Sequence, residues 1–100
     1  MDKYREIIEM AEKGDMEAQY ELGFMYYDGD GVKTDRKLAL KWFTAAAMQG
    51  HKDARHQLGE MYYYGKGTKI DRVKAAQWYR MAGDYQSVSE ANIIEIWQED

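Results

Sequence analysis

The sequence predicts an all-α protein: an α-α solenoid of two full helix-turn-helix repeats with a capping helix at each end. Three observations carry that expectation. The chain nearly repeats itself every 36 residues, so that Ala18, Leu22, Gly23, Tyr26, Gly29, Asp35, Ala39, Trp42 and Ala46 return as Ala54, Leu58, Gly59, Tyr62, Gly65, Asp71, Ala75, Trp78 and Ala82. A period of that length marks units that bury their apolar faces only against their neighbours. Inside each unit the apolar residues keep helical spacing, and the breaks are made by glycine in a chain without proline.

Residues 1–14 form an N-terminal half-repeat. Asp2 to Lys13 are charged and amphipathic and run in the frame of a second helix whose first is missing. Repeat one, residues 15–50, opens with Ala18, Leu22, Met25, Tyr26 and Gly29 at offsets 0, 4, 7, 8 and 11, one face of an α-helix. Gly29 and Gly31 end that helix, because glycine takes the left-handed C-cap conformation without a Cβ clash. Asp35 follows as an N-cap, its carboxylate accepting from the orphan amides of the next helix. The second helix carries Ala39, Trp42 and Ala46 on its apolar face, flanked by Leu38, Phe43 and Ala45, and stops at Gly50. Small residues such as Ala18, Gly23, Ala39 and Ala46 let backbones approach, while Leu22, Tyr26 and Trp42 fill the space between helices. Truncating Trp42 or Trp78 to alanine is therefore expected to open a core cavity costing roughly 3–5 kcal/mol.

Repeat two, residues 51–86, copies this plan, with Asp71 as the cap and Ala75, Trp78 and Ala82 as the apolar face. Residues 87–100 supply the C-terminal capping helix. Ser87 and Glu90 are spaced as a capping box, S-x-x-E, opening a helix that runs to about Gln98. Its Val88, Ala91, Ile93, Ile94, Ile96 and Trp97 spread round nearly the whole circumference. Either the helix lodges deeply in the last groove, or Ile93 and Ile96 leave an apolar strip for a partner or a second copy.

Composition removes several function classes. One hundred residues, 45% of them apolar, make one small domain with a shallow core and exclude a disordered chain. Without cysteine there is no disulfide, thiolate zinc site or cysteine nucleophile. No apolar run approaches the ~18 residues of a membrane span. The first residues lack a signal-peptide core, and the expected location is the cytoplasm. A net charge of −4, spread evenly, argues against nucleic-acid binding.

Candidate chemistry is sparse. Asp28, Asp30 and Asp35 hint at a calcium loop but lack the ligand spacing and terminal glutamate, and the second copy replaces the first two with Tyr64 and Lys66. Gly65-Lys66-Gly67-Thr68 lacks the upstream glycine of a phosphate loop. His51, His56 and Glu60 would be a zinc set, yet His51 and Glu60 diverge on the helix. Ser87 and Ser89 sit at a helix start, where capping accounts for them. The expectation is a non-enzyme with no cofactor and no metal.

The pattern A-x-x-x-L-G-x-x-Y-x-x-G-x-G-x-x-x-D-x-x-x-A-x-x-W-x-x-x-A occurs twice, from Ala18 to Ala46 and from Ala54 to Ala82. It resembles the Sel-one-like repeat, a relative of the tetratricopeptide repeat, over roughly residues 11 to 83. The resemblance implies paired antiparallel helices wound into a right-handed superhelix, and adaptor roles in signalling and assembly without chemistry. This chain departs from the pattern at Ala82-Gly83-Asp84, in a final helix without the Leu-Gly-x-x-Tyr signature, and in having no cysteine.

In related helical repeats the first helix of each unit lines the concave face, and helical geometry selects the same residues. Opposite the core face of the first helix stand Tyr20, Phe24 and Tyr27 at offsets 0, 4 and 7, with Asp28 alongside. The second unit offers His56, Glu60, Tyr63 and Tyr64. Such a stripe, pointing away from the core, would anchor a protein or peptide partner by excluding water from aromatics. The neighbouring carboxylates favour a basic or amphipathic segment. The basic residues Lys33, Arg36, Lys37, Lys41, Lys66, Lys69, Arg72 and Lys74 form a solvated rim. The expected function is a non-catalytic protein-interaction module, an adaptor or an occluding inhibitor or immunity protein. It is expected as a monomer ahead of a homo-oligomer. The alternative is a structural or self-assembling unit that uses the apolar C-terminal helix.

Overall fold

Six helices follow one another in the computed structural model, which describes residues 2–98. They are α1 (Lys3–Glu12), α2 (Met16–Asp28), α3 (Arg36–Met48), α4 (Lys52–Tyr64), α5 (Arg72–Ala82) and α6 (Tyr85–Gln98), with no strand among the described residues. Each helix packs on the next in the chain, giving a stack 54 Å long and 23 by 16 Å across. No helix is long and apolar enough to cross a membrane.

The helix ends obey the capping chemistry. Asp35 Oδ1 accepts from the Leu38 amide at 3.1 Å, and Asp71 Oδ1 from the Lys74 amide at 2.9 Å. Gly29 and Gly65 close α2 and α4 with φ of +74° and +72°, a conformation that an L side chain resists. α2 is capped by Asp15, whose Oδ1 accepts from Ala18 at 2.8 Å. One period later α4 is capped by an imidazole: His51 Nδ1 accepts the Ala54 amide at 3.0 Å.

Close approach within each repeat rests on one glycine. A Cβ built on Gly23 would lie 2.7 Å from the ring of Phe43, and one on Gly59 would lie 2.6 Å from the ring of Tyr79. The two rings lie flat against bare helix backbone and are sealed from water. This corrects the assignment of the tryptophans. Phe43 and Tyr79 are the buried aromatics, whereas Trp42 and Trp78 are half-buried against the helices preceding theirs. The reason is angular: one residue along a helix turns the side chain by 100°, and the glycine slot faces the position after the tryptophan. The large truncation penalty therefore belongs to Phe43 and Tyr79.

The core runs as three linked clusters along the stack. Ala11, Leu22 and Met25 join α1 to α2; Phe43, Ala47, Leu58 and Met61 fill the centre; Tyr79, Ala91 and Ile94 seat α6. The final helix starts at Tyr85, and the expected Ser87–Glu90 capping box is replaced by another cap. Asp84 takes the cap, its Oδ1 accepting from the Ser87 amide at 2.8 Å and its Oδ2 from the Ser87 hydroxyl at 2.9 Å. α6 lodges its Ala91 and Ile94 side while Ile93, Ile96 and Trp97 stay exposed.

Candidate partner-binding surface

The aromatic stripe of α2 is continuous. Tyr20 meets Phe24 edge-on at 5.1 Å and Phe24 meets Tyr27 at 6.5 Å between ring centroids. It does not stand clear of the core, as the sequence spacing predicts. Phe24 packs edge-on against Phe43 at 4.9 Å and Tyr20 lies 5.8 Å from the same ring, so both are half-buried. Gly23 brings α3 so near that Phe43 reaches past it to the flanking rings. All three rings of the stripe are therefore only partly open to solvent.

Its N-terminal end borders a groove of about 240 Å³, where Tyr20, Phe24 and Asp28 meet Tyr4, Glu21 and Asp30. The Tyr4 hydroxyl donates to Asp30 Oδ1 at 2.8 Å, and that bond, with the Asp30 charge, raises the Tyr4 phenol above its ordinary range. The Tyr20 phenol is also raised, first by burial and then by the carboxylates of Asp53, Glu17 and Glu60.

The C-terminal end is built differently. Tyr63 and Tyr64 meet edge-on at 4.9 Å, with Tyr64 exposed. Tyr63 borders a groove of about 370 Å³ together with Arg72, Glu90, Ile93 and Trp97. The Arg72 guanidinium lies 4.7 Å from the Tyr63 centroid, as Arg36 lies 4.4 Å from that of Tyr27. Two members of the basic rim are therefore drawn onto the aromatic face. The shared 36-residue spacing of Tyr27 with Tyr63 and of Arg36 with Arg72 is the signal that could have paired them.

His56 and Glu60 lie 3.4 Å apart, one helical turn along α4. His56 Nδ1 is 2.7 Å from Ser87 Oγ, and its ring meets Tyr79 at 5.2 Å. Ser87, His56 and Glu60 thus form a chain of hydroxyl, imidazole and carboxylate. Ser87 is fully buried, and its hydroxyl proton goes to Asp84, so its oxygen accepts from Nδ1–H of His56. No substrate carbonyl reaches that oxygen, and the chain clasps α6 to α4. The two Ser87 donors hold the Asp84 carboxyl below its ordinary range. His51 spends both nitrogens too: beside the cap, Nε2 is 2.9 Å from Glu17, and the ring stacks on Tyr20 at 4.2 Å. No cluster of three His, Asp or Glu residues suited to a metal occurs among the described residues.

The eight predicted residues thus do not form one continuous site. Tyr20, Phe24 and Asp28 share the first groove, Tyr63 and Tyr64 belong to the second end, and His56 with Glu60 lies on α4 against Ser87 and Tyr79. Tyr27 sits beneath Arg36. Sequence reasoning passed over Tyr4, Glu90 and Trp97, which come from the flanking helices and carry no repeat signature.

Comparison with known proteins places this architecture. The Sel1 repeat family model matches residues 17–51 and 52–84. A Sel1 repeat protein from Oxalobacter formigenes has 32% identity and a TM-score of 0.84 over 90% of this chain and 38% of its own. A protective antigen of uropathogenic Escherichia coli with the same type of fold has 35% identity and a TM-score of 0.77 over 85% of this chain. The cysteine rich protein B of Helicobacter pylori shares the fold at 22% identity and a TM-score of 0.81, over 89% of this chain and 71% of its own. The chain spans 38% and 18% of the lengths of the first two. A search of curated protein sequences gives no match.

Proposed function

This chain belongs to the Sel1 repeat family, whose repeats are in general protein–protein interaction modules, and we propose that it grips a basic or amphipathic peptide segment along the α2 and α4 face. The observation that supports this most is the continuous run of the half-exposed Tyr20, Phe24 and Tyr27 rings beside the exposed carboxylates of Glu21 and Asp28. The open parts of these rings supply apolar contact and the carboxylates steer a cationic partner. The module works without catalysis, as a small cytoplasmic adaptor or as an occluding inhibitor. The buried Ser87 hydroxyl, already committed to Asp84, supports the non-catalytic reading.

The test is fluorescence anisotropy with two labelled amphipathic peptides that differ only in Lys or Glu on the polar face. The basic peptide is expected to bind and to weaken as salt rises. Glu21→Lys and Asp28→Lys, both at exposed positions, are expected to weaken it at least tenfold with helical content unchanged. Equal affinity for both peptides, or binding indifferent to these charge reversals, would remove the face from consideration. Phe24→Ala is a poor probe, because Phe24 also supports Phe43.

A further inference from the structure

We propose that the edge formed by the glycine turns and the starts of α3 and α5 binds an acidic peptide segment, with Arg36 and Arg72 as its two anchors. Charge that is nearly even between the halves of the chain is segregated within each repeat. Residues 33–41 and 66–74 hold eight basic residues against two acidic ones, while the rest of the chain holds six against sixteen. The two acidic residues, Asp35 and Asp71, are spent as helix caps. All eight basic side chains are exposed, and none forms an ion pair among the described residues. The fold draws the two segments together. A Cβ on Gly67 would overlap the Arg36 carbonyl, so the turn of repeat two rests on the first residue of α3. Arg72 follows Gly67 by five residues, which keeps Arg36 and Arg72 at most roughly 25 Å apart, the span of about seven extended residues.

The two arginines are held before any partner arrives. Arg36 lies over Tyr27 at 4.4 Å and Arg72 over Tyr63 at 4.7 Å, the same pairing one period apart. A guanidinium resting on a ring keeps the N–H groups of its rim for an acceptor, and their fork matches a carboxylate. Holding the side chain beforehand lowers the ordering cost of binding. Glu90 borders the same groove as Arg72 and leaves it unpaired. Complementary charge therefore selects an acidic segment, with two carboxylates spaced to meet both arginines. A long nucleic acid fits less well, because the sixteen acidic residues elsewhere repel a polyanion that runs on beyond the edge. The charges are separate from Glu21 and Asp28, so this site stands or falls apart from the basic-peptide face.

The test is fluorescence anisotropy of the whole chain with a labelled peptide of about twelve residues, alternating glutamate and serine, long enough to span both arginines. The comparison peptide carries glutamine in place of glutamate. At about 0.1 M salt, where charges more than about 10 Å apart are screened, the glutamate peptide is expected to bind and the glutamine peptide is not. Arg36→Gln and Arg72→Gln are each expected to weaken binding about fivefold, and together about 25-fold, with the helical circular-dichroism signal retained. Lys52→Gln removes the same charge at an exposed position beyond the far end of α3, about 20 Å from Arg36, and is expected to leave affinity within about twofold. Arg36→Lys and Arg72→Lys keep the charge without the fork, and the pair is expected to recover only part of the loss. No binding of the glutamate peptide, or equal binding of the glutamine peptide, overturns the proposal. So does a folded Arg36→Gln/Arg72→Gln protein that binds no more weakly than Lys52→Gln, full affinity in the double lysine variant, or tighter binding of a single-stranded oligonucleotide of the same charge.

Discussion

Gly59→Ala is the perturbation on which the packing argument is most exposed. In an open helix this change is favourable, since a mid-helix glycine is worse than alanine by about 0.5–1 kcal/mol. Here the new methyl would lie 2.6, 2.7 and 2.9 Å from three ring carbons of Tyr79. That is about 1 Å inside the ~3.5–4.0 Å at which carbon atoms attract. The ring cannot retreat freely. It is 4% exposed, and His56, tied to Ser87, closes in at 5.2 Å between centroids. Forcing a methylene into such a site costs about 1–3 kcal/mol. Set against the propensity gain, the expected result is a net loss of roughly 1–2 kcal/mol, or a midpoint lower by about 5–10 °C in a domain this size. Thermal and urea unfolding followed by circular dichroism read it directly. The control is the same substitution in a Tyr79→Leu background, where the obstruction is gone and alanine should gain stability over glycine. If Gly59→Ala matches or exceeds the parent in stability, the close approach of α5 to α4 is not what Gly59 is for.

Two further outcomes follow from the buried polar groups. His51→Ala removes the α4 cap, the Glu17 contact and the Tyr20 stack, and should cost about 2 kcal/mol, whereas His51→Asp, which copies Asp15, should recover about half of that in urea midpoints. Equal stability of the alanine variant and the parent would refute the cap. The Tyr79 phenol is pushed far above its ordinary 10.0, mainly by burial and then by Glu60 and Glu90. A raised folded-state pKa means the native state holds the proton more tightly than the unfolded chain. Its contribution is complete below about pH 10 and is lost as pH climbs beyond it. Stability should therefore fall steeply above pH 10 in the parent and less steeply in Tyr79→Phe.

The sequence made helix positions and caps legible because both are local. The spacing of Ala18, Leu22 and Met25, and an aspartate ahead of each second helix, need no tertiary knowledge. What it hid depends on rotation and on neighbours. Trp42 and Phe43 are both aromatic and adjacent, and only the place of the Gly23 slot decides which of them is sealed. Ser87 has the spacing of a cap, yet Asp84 is three residues ahead and better placed, which pulls the serine inside. Of the candidate surface, Tyr63, Tyr64 and the acidic residues could be read from helical spacing. The stacking of Arg36 on Tyr27 and of Arg72 on Tyr63 left only its repeat in both units as a trace, and the places of Tyr4 and Trp97 left none, because each meets residues of elements distant in sequence.

The departures from the 36-residue period say more about this chain than the period does. Matching positions do matching work: Tyr20 touches the residue that opens the next unit, His51, and one period on His56 touches Ser87. The contact persists while its chemistry changes from ring stacking to hydrogen bonding, so the role belongs to the architecture and the residue types to this protein. At the third step the series of glycines ends in Glu95, and the aromatic slot becomes an ion pair beside an open groove. A solenoid can bury only what its neighbours cover. Carboxylates gather on the α2 and α4 face, where no further helix packs. α6 carries Glu90 and Glu95 with no basic residue of its own, and leaves Ile93 and Ile96 bare. The first composition suits a cationic partner, so binding on that face should weaken as salt rises.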